Sequence, residues 1–405
     1  MQFGLIGRHL GHSYSPEIHK RLHGHDYQLV PMEPQQLPAF FARRDFAGIN
    51  VTIPYKVEAF HACDALGETA RRAGCVNTIV KRPDGTLFGD NTDLAGFQFM
   101  LRRAGIDLTG KHVLILGAGG ASQTVQLACA DAQAASVTIA DKDDSKHCPQ
   151  AEVLINTSPV GMYPHADNTP VDLRDYPNLR AVADLIYNPS RTRLLQQAEK
   201  LGLVCINGLS MLVAQAAAAA ELFLQQKIAD EHAAQVLHSL NADLQNWVLV
   251  GMPGCGKSTI GLDLAQRSGR SFVDIDHEIA QRTGTTPADI IRQQGEPAFR
   301  DIESQVITDL SAQTGLVIAT GGGAVLRESN RQALRQNARV LWIQRANANL
   351  ARDGRPLSVD LDDLYRTREP AYQDAADVAI THNEDWDAVK QAAWAAFLSP
   401  CCALR

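Results

Sequence analysis

Apolar runs, glycines and helical segments follow one another in three parts of the chain. The segment "MQFGLIG" predicts a short opening strand, and "KHVLILGAGGASQTVQLACA" predicts a strand, a glycine-rich turn and a helix. The segment "NWVLVGMPGCGKSTIGLDLAQ" repeats that order. Strands that alternate with helices indicate parallel sheets covered by helices. The pattern therefore predicts an α/β protein with mostly parallel sheets.

An alanine-rich segment separates the second and third of these parts. It reads "SMLVAQAAAAAELFLQQKIADEHAAQVLHSLNADLQ", contains neither glycine nor proline, and favours helix by intrinsic propensity. We interpret the alanine run Ala216–Ala220 as close helix packing rather than as a site. Because no linker rich in Pro, Ser or Gly follows, the next domain is expected to begin near residues 243–246.

Length and composition narrow the class of protein. A chain of 405 residues suggests two or three domains, and 45% hydrophobic with 20% charged residues is ordinary for soluble domains. The net charge of −7 does not favour nucleic-acid binding, and no apolar stretch reaches the length of a membrane span or a secretory signal. The eight cysteines form no C-x-x-C pair, which argues against zinc and favours reduced thiols. We therefore expect a cytoplasmic protein without nucleic-acid or membrane partners, whose oligomeric state stays open.

A phosphate-binding motif opens the last third of the chain. Residues Gly251 to Ser258 fit G-x-x-x-x-G-K-[ST]. Glycines 254 and 256 let backbone N–H groups face a phosphate, Lys257 reaches the β and γ oxygens, and the Ser258 hydroxyl is a ligand for Mg²⁺. The alternative is a chance glycine turn, but the full motif lies at a strand-to-helix junction, which argues against it.

Further motifs follow in a fixed order. "FVDIDHEI" places Asp274 and Asp276 two positions apart at a strand end, where we expect them to share a face. "EPAFRDIE" puts Arg300 beside Glu303, "LVIATGGGAV" ends a strand in three glycines, and "DGRPL" and "RTREPAY" add arginines. Taken singly, these features are also typical of a helix cap, a surface ion pair and a tight turn. In combination, residues 246–396 resemble shikimate kinase.

That resemblance implies ATP as a substrate, Mg²⁺ as a cofactor and a role for each matching residue. Asp274 would help Ser258 to hold Mg²⁺ through water, and Asp276 would be the base. Arg300, Arg368 and the N–H of Gly322 would hold shikimate. The catalytic Lys257 would act among nucleotide-binding residues Gly254, Cys255, Gly256, Ser258, Thr259, Arg352 and Arg355. Arg355 and Arg368 are closer together than is usual in the family, so a short lid is expected.

The first half of the chain carries polar motifs of another kind. "LGHSYSPEIH", "GINVTIPYK", "AGCVNTI" and "LFGDNTDLAGF" predict a polar pocket with one lysine, Lys56, and one carboxylate, Asp93. That pair suits proton transfer beside a carbonyl, although a lone lysine is also typical of a solvated surface. "ILGAGGASQT" is a Rossmann-type turn with Ser122 where Gly or Ala is usual.

With these motifs, residues 1 to about 240 resemble shikimate dehydrogenase. The resemblance implies that Lys56 protonates the C3 ketone oxygen and that Asp93 orients or assists it. The substrate would contact Ser13, Ser15, Thr52, Asn77, Tyr187 and Gln215. NADP(H) or NAD(H) would contact Gly117, Ala118, Gly119, Gly120, Ala121, Asp141, Lys142 and Gly208. Quinate stays open as an additional substrate.

One segment of the sequence is shorter than its counterpart in the shikimate dehydrogenase family. Only 15 positions separate Asp141 from Asn156, where the family fits a helix and a strand, so the dinucleotide domain is expected to lack one βα unit. The family's NADP-type Asn-Arg-Thr and second Arg become Asp141, Lys142, Asp143 and Lys146. An acid at this place favours a free ribose hydroxyl over a 2′-phosphate, which predicts that NAD⁺ serves at least as well as NADP⁺. The alternative is a solvated acidic loop.

The motifs predict three domains. An α/β substrate-binding domain would comprise residues 1–105 and 207–243, and a trimmed Rossmann-type domain residues 106–206. A P-loop domain like nucleoside-monophosphate kinases would comprise residues 244–405. The chain would reduce 3-dehydroshikimate to shikimate and then phosphorylate shikimate. The alternative is a shikimate kinase that carries a catalytically inactive dehydrogenase-like binding or assembly module.

Overall fold

Three sheets organise the chain in a computed structural model. It describes residues 1–11, 13–141, 148–346, 350, 361–382 and 385–399. In these ranges, every helix is too short or too polar to cross a membrane.

The first sheet brings two strand ends to one edge. Its strands are β1 (Phe3–Gly7), β2 (Tyr27–Pro31), β3 (Gly48–Val51), β4 (Ala65–Leu66), β5 (Thr78–Lys81) and β6 (Leu87–Asp90), in the order β2-β1-β3-β5-β6-β4. Its helices are α1 (Ser15–His23), α2 (Leu37–Arg43), α3 (Lys56–Ala62), α4 (Glu68–Ala73) and α5 (Asp93–Ala104). Because β5 is antiparallel to both β3 and β6, those two strands run in the same direction. The chain therefore enters α3 and α5 from the same edge of the sheet.

The second sheet is parallel and has five strands. They are β7 (His112–Leu116), β8 (Ser136–Ala140), β9 (Val153–Asn156), β10 (Ala181–Asp184) and β11 (Val204–Ile206), in the order β11-β10-β9-β7-β8. Helices α6 (Gly120–Asp131) and α7 (Arg193–Lys200) cover it. A complete dinucleotide-binding sheet has a further strand beside its second one. Here β8 is the edge strand of the described sheet, as expected for a domain that lacks one βα unit.

The alanine-rich segment forms two helices, α8 (Leu209–Leu224) and α9 (Asp230–Leu244). Gln225, in the left-handed region at φ +51°, ends the first of them. Alanines 216, 217, 219 and 220 are buried. Helix α5 lies so close to α8 that a Cβ at Gly96 would come within 2.7 Å of the Met211 carbonyl oxygen. Ala216 and Ala217 also belong to the core that α8 shares with α1 and α9, which confirms their role in close helix packing.

The third sheet places its first strand at the centre. Its strands are β12 (Asn246–Val250), β13 (Ser271–Asp274), β14 (Leu316–Ala319), β15 (Ala338–Arg345) and β16 (Val378–His382), all parallel, in the order β13-β14-β12-β15-β16. Its helices are α10 (Lys257–Ser268), α11 (Ile275–Thr283), α12 (Pro287–Gln294), α13 (Glu296–Ser311), α14 (Glu328–Arg335), α15 (Leu361–Ala375) and α16 (Trp386–Leu398). Its core is aliphatic, and Leu249 and Val340 are fully buried. The loop after β12 therefore opens at the middle of the carboxyl edge, where ligands bind in open α/β sheets.

A buried charge network joins the second and third sheets. Arg191, which is only 2% exposed and follows β10, donates to both oxygens of Glu199 on α7 and to both oxygens of Asp377 before β16. Arg335 at the end of α14 adds a second cation, 3.1 Å from Glu199. Glu199 belongs to the region of the second sheet and Asp377 to the region of the third sheet, so the network fixes these two regions against each other.

Candidate active sites

Lys56 and Asp93 form an ion pair at the edge of the first sheet. The Lys56 ammonium lies 2.6 Å from an oxygen of Asp93, and both side chains are largely buried. Each is the first residue of its helix. The structure therefore brings together the two residues that the sequence pairs for proton transfer.

A second layer of amides fixes the carboxylate. Asn77 donates 2.9 Å to the other oxygen of Asp93, and the Asp93 N–H donates to Asn91. Thr92 donates to Gln215 at 3.5 Å, which brings α8 next to α5. Both oxygens of Asp93 thus have donors, so its orientation relative to Lys56 is fixed.

The predicted carboxylate-binding hydroxyls lie at the start of α1. The Ser13 hydroxyl donates to the Ser15 hydroxyl at 3.1 Å. Between them, Tyr14 packs on Tyr187 with ring centroids 5.5 Å apart, and burial raises the pKa of both phenols. Thr52 follows β3, and its methyl group approaches Gly7. Their contacts with substrate remain a prediction.

The dinucleotide turn is open where a pyrophosphate would lie. A Cβ at Gly119 or Gly120 would meet no atom within 4 Å, whereas one at Gly117, with φ +102°, would come within 3.0 Å of the Thr157 hydroxyl. The buried Ser122 fills the third position. Chain packing explains Gly117, and the space beside Gly119 and Gly120 leaves room for a ligand.

Asp141, Lys142 and Gly208 are further predicted cofactor contacts. Asp141 is exposed after β8, and Lys142 lies outside the described residues. A Cβ at Gly208 would come within 2.0 Å of the Leu185 carbonyl oxygen, so close packing alone requires this glycine. Its place near a nicotinamide remains a prediction.

A cavity of about 450 Å³ lies at the carboxyl edge of the third sheet. The phosphate loop lines it with Gly254, Gly256, Lys257, Ser258 and Thr259. Loop glycines 251, 254 and 256 have φ values of +146°, +82° and +102°, which other residues rarely adopt. Cys255, in the same loop, is buried. The cavity and the loop geometry suit a nucleoside triphosphate.

The charged residues of the loop are held in place. The Lys257 ammonium donates 2.9 Å to the carbonyl oxygens of Gly251 and Met252. The Ser258 hydroxyl donates 2.6 Å to Asp274, whose other oxygen caps α11. These two oxygen-bearing groups form a donor set that suits Mg²⁺.

The expectation that Asp274 and Asp276 share a strand face was wrong. Strand β13 ends at Asp274, and Asp276 lies in the first turn of α11. Alternation along a strand therefore does not apply to Asp276. Both residues still line the cavity, because the helix begins at its edge.

The three glycines after β14 each make room for a neighbour. A Cβ at Gly321 would come within 2.9 Å of Glu303 and 3.1 Å of Asp276, and one at Gly322 within 2.6 Å of Pro253. A Cβ at Gly323 would come within 2.3 Å of the Arg300 guanidinium. The glycines therefore let two carboxylates, the phosphate loop and an arginine converge on one cavity.

Arg300 and Arg368, the two described arginines that the sequence predicts for substrate binding, line this cavity. Arg300 pairs with Glu303 at 2.7 Å and with Glu296 at 2.9 Å. Arg368 is 4% exposed, and its Nε has no hydrogen-bond partner in the described part of the chain. Burial raises the pKa of Glu303, and the Arg300 charge opposes that shift. The lid residues Arg352 and Arg355 lie outside the described residues.

Sequence reasoning missed several side chains around both sites. Tyr27 donates 2.7 Å to Asn50, which donates to Thr78 and so continues to Asn77. Tyr372 donates 2.5 Å to the carbonyl oxygen of Gly322. Asn50, Thr78 and Tyr372 lie within the motifs "GINVTIPYK", "AGCVNTI" and "RTREPAY", but those motifs gave them no role.

Two matches to family models divide the chain. Residues 5–79 match the model of the shikimate dehydrogenase substrate binding domain. The shikimate dehydrogenase (NADP(+)) of Clostridium perfringens (strain SM101 / Type A) is 33% identical over 252 residues, which are 55% of this chain and 91% of that protein. The chain belongs to the shikimate dehydrogenase family.

Solved structures agree with this family. A chorismate mutase/shikimate 5-dehydrogenase fusion protein from Clostridium acetobutylicum is 33% identical with a TM-score of 0.55, over 59% of this chain and 96% of that one. Shikimate 5-dehydrogenase from Thermus thermophilus in complex with NADP(H) and shikimate is 29% identical with a TM-score of 0.54, over 59% and 99%. The dehydrogenase-family fold therefore accounts for somewhat more than half of the chain.

The remaining part matches a second enzyme family. Residues 253–395 match the model of shikimate kinase. This range includes most of the phosphate loop, the three glycines after β14, and Arg300 and Arg368. The chain is thus an enzyme with an oxidoreductase part and a kinase part, both of shikimate-pathway type.

Proposed function

We propose that this one chain catalyses two consecutive reactions, the reduction of 3-dehydroshikimate to shikimate and the phosphorylation of shikimate at its C3 oxygen. One observation carries the proposal: a complete Lys56–Asp93 pair and a complete phosphate-loop cavity occur in the same chain. Shikimate would leave the first site as product and enter the second as substrate.

In the first reaction, Lys56 acts on the carbonyl oxygen. NADP(H) or NAD(H), when bound, supplies the hydride that adds to the C3 carbonyl carbon. The Lys56 ammonium donates a proton to the oxygen, so the C=O double bond becomes C–OH. Asp93 holds the ammonium 2.6 Å away, and Asn77 holds Asp93. Ser13 and Ser15 would bind the substrate carboxylate, and Thr52, Tyr187 and Gln215 would contact the rest of the substrate.

In the second reaction, the new hydroxyl attacks the γ-phosphorus of ATP. The oxygen–phosphorus bond forms, the bond to the ADP oxygen breaks, and Asp276 accepts the hydroxyl proton. Lys257 stabilises charge on the transferring phosphoryl group, while Arg300 and Arg368 clamp the shikimate carboxylate. Ser258 and Asp274 would hold Mg²⁺, which neutralises phosphate charge when bound.

The edge position of β8 favours a second candidate. With β8 at the edge of the described sheet, less sheet surface lies beside Asp141 for the adenosine half of a cofactor. In that case the first part of the chain would bind shikimate-like ligands or serve assembly without reducing them. The intact Lys56–Asp93 pair weighs against this candidate, and a reductase assay separates the two.

The test is whether the two activities can be removed one at a time. We expect Lys56→Ala to lower NADP⁺ or NAD⁺ reduction with shikimate by about 10²-fold or more, as for loss of the group that transfers the hydroxyl proton, and to leave ADP formation unchanged. Lys257→Ala should abolish ADP formation and spare the dehydrogenase.

The matched control is Lys81→Ala, because Lys81 is an exposed lysine on β5 outside both sites. It should leave both rates at wild-type values. If either active-site substitution removed both activities from a folded protein, the proposal of two separate sites would fail.

A further inference from the structure

Arg345 is a charged residue at the phosphate loop, and it has no role in the two reactions proposed above. It is the last residue of β15 and lines the kinase cavity. Its Nη1 donates 3.3 Å to the carbonyl oxygen of Gly254, inside the loop. Its Nε is buried and has no hydrogen-bond partner within the described residues.

This guanidinium differs from that of Arg300, another arginine that lines the cavity. Arg300 is neutralised by Glu296 and Glu303 at less than 3 Å, whereas Arg345 forms no ion pair with any described carboxylate. A guanidinium has five N–H donors in a rigid fork. Most of the donors of Arg345 therefore have no protein acceptor in the described part of the chain, beside a loop built to bind anions.

Trp386 holds the guanidinium at this place. Its ring centroid lies 5.5 Å from Cζ of Arg345, a cation–π distance. The same ring lies against the loop, since a Cβ at Gly256 would come within 2.7 Å of it. His382 packs edge-on to Trp386 with centroids 4.3 Å apart. The tryptophan is therefore fixed on two sides and limits the movement of Arg345.

We propose that Arg345 is a phosphate-contacting residue of the kinase site, and that Trp386 positions it. Planar bidentate donors match phosphate oxygens, and a guanidinium with donors to spare at an anion-binding loop gains most from such a ligand. The proposal rests on the kinase function proposed above. It adds a cation to the nucleotide site from β15, independently of the lid arginines.

The test compares Arg345→Gln and Arg345→Lys with the wild-type full-length chain. Glutamine keeps much of the side-chain length and removes the charge, whereas lysine keeps the charge and loses the fork. Calorimetric titration with ATP and with inorganic tripolyphosphate should show affinity about tenfold or more weaker for Arg345→Gln, with a smaller loss for Arg345→Lys. Inhibition by adenosine and the KM for shikimate should stay unchanged, and the loss in affinity should shrink at high salt.

The matched control is Arg282→Ala, because Arg282 pairs with Glu278 and Asp309 away from the cavity lining. It should bind ATP and tripolyphosphate like the wild type. If wild-type protein binds both ligands and Arg345→Gln binds them equally well, the assignment of Arg345 is overturned while the kinase proposal stands. If the wild type binds neither, both proposals are overturned.

Discussion

Removal of Arg191 should destabilise a part of the chain to which Arg191 does not belong. This side chain follows β10 in the dinucleotide-binding region, yet it makes hydrogen bonds of 3.1 and 2.9 Å to Asp377 beside the kinase sheet. Its other bonds, of 3.0 and 2.7 Å, go to Glu199. Burial alone lowers the pKa of Arg191, but the two carboxylates outweigh burial and raise it. The arginine therefore stays charged at any pH at which the protein is folded.

The expected loss in the free energy of unfolding follows from the charges that remain after Arg191 is removed. In Arg191→Ala, two buried carboxylates would share one cation, Arg335, which lies 3.1 Å from Glu199 and 3.7 Å from Asp377. One negative charge is then uncompensated in a buried place. Breaking a buried ion pair in this way costs about 3–5 kcal/mol. With a urea dependence of about 2 kcal/mol per molar, the unfolding midpoint should fall by about 1.5–2.5 M.

The tryptophans make this effect measurable in the kinase region. All four, at positions 247, 342, 386 and 394, lie beyond residue 246. Their fluorescence during urea unfolding should therefore report the third sheet and its helices, while shikimate oxidation reports the first part of the chain. We expect Arg191→Ala to lower both midpoints.

Lys200→Ala is the matched control, because Lys200 pairs with Asp374 across the same interface but is 45% exposed. An exposed pair contributes about 0–1 kcal/mol, so its midpoint should barely move. A fluorescence midpoint of Arg191→Ala equal to that of Lys200→Ala would refute the view that the buried network fastens the two regions together.

The remaining predictions concern the two sites and the response to acid. Lys56→Ala and Lys257→Ala should each remove one activity, measured by cofactor reduction and ADP release. Asp141→Asn should shift kcat/KM toward NADP⁺ by about five- to tenfold, and a wild-type preference for NADP⁺ above about a hundredfold would contradict the reasoning. Burial lowers the pKa of His19 to about 3, so as the pH falls His19 takes up a proton in the unfolded chain before it does in the folded protein, and stability should fall below about pH 6.5. His19→Phe should flatten this dependence of stability on pH in urea titrations at pH 4.5–6.5, and an unchanged slope would contradict the reasoning.

The sequence predicted the positions of several candidate site residues, because those positions depend on short motifs. The phosphate loop lies between β12 and α10, and Lys56 and Asp93 meet although 37 positions separate them. The edge position of β8 in the described sheet agrees with the short interval between Asp141 and Asn156.

Features that depend on contacts between distant segments were not predictable. Nothing local to Arg191 indicates that Asp377, 186 positions away, completes its ion pairs. The place of Asp276 was predicted wrongly, because strand alternation cannot show that a helix begins at residue 275. Arg345 and Trp386 belong to no motif. They meet because β15 ends, and α16 begins, beside the phosphate loop.

The most direct test of the account is a single-chain turnover experiment. Purified protein would receive 3-dehydroshikimate, ATP, Mg²⁺ and either NADPH or NADH, and the oxidised cofactor, ADP and shikimate 3-phosphate would be quantified together. The account predicts that cofactor is oxidised and that shikimate 3-phosphate and ADP form in equal amounts from the shikimate produced. If ADP forms only when shikimate is added and neither cofactor is oxidised, the chain is a kinase with an inactive dehydrogenase-like module, and the central claim is contradicted.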